Sequence, residues 1–98
     1  MDVQLSTRTV LELTHLLATT AAAPGATHAD RYELAYTRAQ VATRMPPVEV
    51  LVLAGVLREA ADRLALDPAT RAACDRWSTR LAAQLTAPPA RQPLAIAS

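Results

Sequence analysis

The sequence predicts an all-α fold, either a small four-helix bundle or two packed helical hairpins. Three observations carry that prediction. Apolar residues recur at three- and four-residue spacing over long stretches, which is the period of a helix face. Breaks at Pro24-Gly25, Pro46-Pro47, Asp67-Pro68 and Pro88-Pro89 cut the chain into four pieces of helical length and a tail. The apolar run Val48–Leu57, short enough to pass for a strand, continues into a plainly helical pattern with no turn signal to close it. Residues 1–86 are therefore expected to form one helical domain, and the Pro/Ala-rich segment 87–98 a flexible tail.

The first helix is expected from about Ser6 to Ala23. Ser6, Thr7 or Thr9 supplies a cap, and Thr9 with Glu12 fits a capping box. Val10, Leu13, Leu16, Leu17 and Ala21 share one face, and Arg8, Glu12, His15 and Thr19 the other. The second helix is expected from about His28 to Arg44, with Thr27 as N-cap and Asp30 in the first turn. It carries two apolar stripes: Tyr32, Ala35, Tyr36, Ala39 and Ala42 on one side, Leu34, Val41 and Met45 on the other.

The third helix begins at Pro46-Pro47 and runs to about Ala65. Proline suits the first helical position, and Glu49 complements the positive helix start. Leu53, Leu57, Ala60, Ala61 and Leu64 form one face, and Arg58, Glu59, Asp62 and Arg63 the opposite one. Val48, Leu51, Val52 and Gly55 add a second apolar stripe on the side that turns charged further along. The fourth helix opens with Asp67-Pro68 and runs to about Leu85, with Cys74, Trp77, Leu81 and Leu85 on one face. Asp67–Arg71 and Arg71–Asp75 read as exposed charge pairs. The connection of about two residues, Leu66-Asp67, makes the last two helices an antiparallel hairpin.

At 98 residues the chain removes roughly 60–65% of its unfolded surface from water. Hydrophobic residues make up 51%, but many are alanine and only 3% are aromatic, so apolar positions are plentiful and apolar bulk is scarce. A net charge of +1 gives no strong field. All ten basic residues are arginine, and with inflated Ala and Pro this points to a GC-rich, actinobacterial-like genome before it points to phosphate recognition. One cysteine excludes an intrachain disulfide. The start MDVQLSTRTV lacks the pattern of a secretion signal, and no apolar run reaches the ~20 residues of a spanning helix. A cytoplasmic protein without membrane contact is the expectation.

No catalytic or ligand motif stands out. His15 and His28 have no partner at metal-ligand spacing, Cys74 sits on an apolar stripe, and no Gly-rich phosphate loop exists. No catalytic residue, metal or cofactor is assigned. Tyr32 and Tyr36 read as core padding with their hydroxyls at the rim. Segment 34–57 has a faint helix-turn-helix outline, but its would-be recognition helix begins VEVLVLAG, which offers the groove apolar residues and an acid. The leading expectation is a non-enzymatic interaction or accessory protein acting as a helical homodimer. Its interface is expected on Leu34, Val41, Met45, Val48, Leu51, Val52, Gly55 and Trp77. A DNA-binding regulator is the alternative, and a small-ligand binder or enzyme using the inter-helix space is the second.

Overall fold

The structure, a computed structural model, describes residues 2–86. The expected flexible tail over 87–98 lies outside the described residues. Among the described residues, four helices and one short strand pair follow in the order β1 (Val3–Gln4), α1 (Thr7–Ala21), α2 (His28–Gln40), β2 (Arg44–Met45), α3 (Pro47–Arg63) and α4 (Pro68–Thr86).

Local chemistry sets each helix start. Ser6 caps α1, its Oγ accepting from the Thr9 N–H at 3.1 Å. The Thr9–Glu12 capping box does not form; Glu12 instead pairs with Arg8 at 3.2 Å. Buried Leu5 explains the choice, because its N–H donates to the Thr43 carbonyl at 2.8 Å and so fixes the chain's entry one residue before Ser6. At α2 the reciprocal capping box is complete. The Asp30 N–H donates to Thr27 Oγ1 at 3.1 Å, and the Thr27 N–H donates to Asp30 Oδ2 at 3.0 Å. At α4 the Asp67 carboxylate accepts from both the N–H and the hydroxyl of Thr70, at 3.2 and 2.7 Å. Between α1 and α2, Gly25 takes φ +87°, a conformation other residues rarely adopt.

The second helix ends four residues before the expected Arg44. Met45 and Pro46 each precede a proline, which disfavours helical geometry. Val41 has already turned extended at φ −70°, ψ 127°. The extended segment then pairs antiparallel with the N-terminus, Val3 opposite Met45 and Gln4 opposite Arg44. This pairing was not expected from the sequence. It removes Met45 from any helical stripe and drives its side chain into the core at 2% exposure.

The helices pack in a ring, α1 on α2, α2 on α3, α3 on α4 and α4 back on α1, with α3 and α4 sharing the most extensive contact. Contacts at both ends show that α3 and α4 run antiparallel: Arg71 reaches Ala61, and the Ser78 hydroxyl donates to the Ala54 carbonyl at 3.0 Å. Small residues Ala54, Ala61, Cys74 and Ser78 allow this close approach. Leu13, Leu17, Met45, Val50, Leu53, Leu57 and Leu81 fill the middle. Thr20 is buried with its hydroxyl donating to the Leu16 carbonyl at 2.7 Å.

Two ties involve residues expected to be merely exposed. Arg71 does not pair with Asp67 or Asp75; its guanidinium donates to the carbonyls of Ala61, Leu64 and Leu66, the unsatisfied end of α3 and the turn beyond it. Arg63 pairs with Asp30 at 2.8 Å, joining the end of α3 to the start of α2, and lies 3.6 Å from Glu59.

Candidate functional site: the outward face of α3

The core takes one side of α3. Val50, Leu53, Ala54, Val56, Leu57, Ala60, Ala61 and Leu64 are buried. The opposite side carries Val48, Leu51, Val52 and Gly55 in its first half and Arg58, Glu59, Asp62 and Arg63 in its second, all exposed. Val48 is 61% exposed, Leu51 59% and Val52 48%. Such values are ordinary for one stray side chain, but three within five residues on one helix face form a patch. The helix that buries the most residues in the core therefore also has an apolar outside.

Gly55 sits within that patch. Among the described residues a Cβ built on it meets nothing within 4 Å, so no described neighbour requires a glycine. Glycine in a helix interior costs about 1 kcal/mol relative to alanine. Nothing in the packing of the described residues offsets that cost.

The α2–α3 groove borders this patch. It is lined by Asp30, Glu33 and Leu34 from α2 and by Val56, Glu59, Ala60, Arg63 and Leu64 from α3. One turn beyond Glu33 on α2 stands Tyr36, and one turn before Val56 on α3 stands Val52. Tyr32 and Tyr36 are 74% and 60% exposed. They are not core padding: Asp30, Leu34 and Thr37 take the inner side of α2, and the Tyr/Ala stripe faces out.

The expected interface residues thus separate into three groups. Val48, Leu51, Val52 and Gly55 come together on one exposed face. Leu34 and Met45 are buried at 3% and 2%, and Val41 packs partly buried against the same core. That stripe is intrachain core because α2 meets α1 and α3 with a single narrow face and because β2 turns Met45 inward. Trp77 lies away from α3's outer face, half-buried beside an open cleft of about 480 Å³ between α4 and the N-terminal segment. The Arg80 guanidinium stacks 4.9 Å from its ring centre. The exposed tyrosines were the residues missed; the signal was present in the two-striped wheel of α2, but choosing which stripe faces inward needed the neighbours.

Candidate chemistry elsewhere is sparse. Among the described residues no three His, Cys, Asp or Glu side chains are grouped to hold a metal ion. His15 and His28 are exposed on different helices. Cys74 is fully buried 3.7 Å from the Thr20 hydroxyl, and burial pushes its thiol above the ordinary range, away from a reactive thiolate. No described helix is long and apolar enough to cross a membrane. Comparison with known family models, curated proteins and solved structures gives no match.

Proposed function

We propose that the protein is a non-enzymatic interaction or accessory protein that acts as a helical homodimer joined over the outward face of α3. One observation carries this reading: Val48, Leu51 and Val52 stand exposed in a single patch around a glycine that no contact among the described residues requires. Burial of apolar surface contributes roughly 25 cal/mol per Å². Three half-exposed aliphatic side chains fall well short of the roughly 800 Å² each partner gives to a standard interface. The exposed Tyr32 and Tyr36 of the adjoining α2 supply further area, and tyrosine is among the side chains enriched at interfaces.

Mass in solution tests the proposal. Light scattering is expected to give twice the chain mass, and Val52→Glu to give single copies that remain helical, since the site is exposed. A doubled mass that survives Val52→Glu places the joint elsewhere. A single-copy mass for the native chain at hundreds of micromolar removes the homodimer. The rival classes are tested alongside. Salt-sensitive retardation of random duplex favours a DNA-binding regulator built on segment 34–57. A strong stabiliser in a thermal-shift screen favours a ligand-binding or catalytic role.

A further inference from the structure

We infer that the second copy packs its α3 antiparallel on the first, with the two-fold axis passing midway between Leu51 and Val52 and Val48 of each copy seated over Gly55 of the other. This rests on the homodimer reading and specifies how the two copies meet.

The argument starts from spacing. Val48, Leu51, Val52 and Gly55 are separated by three, one and three positions. That pattern reads the same in both directions, so an antiparallel copy superposes patch on patch, as an isologous contact requires. Leu51 then meets Val52 of the second copy, and each end of the patch sets a valine against a glycine. Val48 is the most exposed aliphatic side chain of the patch, and the space above Gly55 is empty. Protrusion and hollow thus complement each other twice in one contact, and the missing Cβ lets the two backbones approach closely. A parallel pairing sets Val48 against Val48 and Gly55 against Gly55, which matches protrusion with protrusion and leaves a void.

Charge supports the same arrangement. Glu59 lies about 11 Å along α3 from the proposed axis, and Pro47 about 7 Å on the other side. An antiparallel copy therefore carries its Glu59 less than one turn beyond the first residue of the facing α3. That end is the positive pole of the helix, and its N-cap, Pro46, provides no side-chain acceptor. A carboxylate from the second copy is favoured there, although Arg58 of that copy reaches the same end one residue nearer the axis. Exposed Arg44 lies just upstream of the same end.

Cysteine cross-linking tests the geometry, with buried Cys74 left in place. Under mild oxidation Leu51→Cys is expected to cross-link to its own copy. Val48→Cys alone is not, since the two thiols would stand about 10 Å apart along the helices. An equimolar mixture of Val48→Cys and Gly55→Cys, held at a concentration well above the dissociation constant expected for a side chain at position 55, is expected to cross-link. Sedimentation of Gly55→Ala supplies a second readout: its melting temperature as a dilute single copy is expected to rise while the dimer dissociation constant weakens at least tenfold. A native dimer in which Val48→Cys cross-links to itself as readily as Leu51→Cys, or in which Gly55→Ala binds as tightly as the native chain, overturns the antiparallel seat and leaves the homodimer standing. Absence of any native dimer overturns both.

Discussion

At the scale of single residues, Gly55 and Asp30 are the positions where a small change is most informative. A side chain at Gly55 meets no neighbour among the described residues, so Gly55→Ala is expected to stabilise the separate chain by about 0.5–1 kcal/mol, read as a higher denaturant midpoint at low concentration. If the proposed dimer forms, the opposite effect on association marks a glycine whose reason lies outside its own chain. Asp30 is set against both the cap of α2 and Arg63. The Thr27 backbone, then its side chain, and the Arg63 guanidinium hold the Asp30 carboxyl below its ordinary value of 3.8. The folded state thus binds its proton more weakly than the unfolded chain. The stability Asp30 contributes is present above that ordinary value and is lost as pH falls through the lower folded one. Melting temperature between about pH 5 and pH 2 is expected to fall less steeply for Asp30→Asn than for the native chain. Equal slopes would remove Asp30 from the acid response.

At the scale of elements, every helix start follows from a cap or a proline, and the largest departure from the sequence expectation, the end of α2, lies where a tertiary pairing intervened. Thr27, Asp67 and the Pro46-Pro47 pair were legible as starts because their chemistry acts within one turn. The end of α2 was not, since residues 41–45 keep an apolar spacing that a helix could use. Their extended form answers to Pro46, Pro47 and the distant Val3–Gln4 segment. Arg71 gives the same lesson. Its neighbours at four-residue spacing suggested ion pairs, but the open carbonyls at the end of α3 are better acceptors for its planar fork. Arg71→Ala is expected to destabilise the α3–α4 hairpin by about 1–3 kcal/mol, with amide exchange rising first at Leu64–Leu66. A loss no greater than that of Arg76→Ala, which lacks these acceptors, would show that the clamp is inert.

At the scale of the whole molecule, the ring of four helices is closed by unequal seams. The α3–α4 seam is extensive and built on small residues, whereas α2 meets α3 over a narrow strip fastened by Asp30 and Arg63. With little aromatic bulk inside and two tyrosines outside, the core is thin. Leu53→Ala at its centre is expected to cost about 2–5 kcal/mol, enough to bring a domain of this size near unfolding. If the folded chain associates, its melting temperature rises with protein concentration, since a partner that binds only the folded state stabilises by mass action. A melting temperature constant across a hundredfold range of concentration speaks against the dimer independently of any substitution.

The sequence by itself determined the four helices, the caps of α2 and α4 and the double-sided character of α3. Those properties depend on residues a few positions apart, which contact one another in any helix. Only the tertiary structure decided which side of each doubly apolar helix faces inward. It buried the Leu34 side of α2 and exposed Tyr32 and Tyr36, and it buried the Leu53 side of α3 and exposed Val48, Leu51 and Val52. A helical wheel ranks faces by hydrophobicity. The fold assigns them by where the neighbouring helices and the Val3–Gln4 strand find room, and four helices of this size have surface enough to cover one face of each.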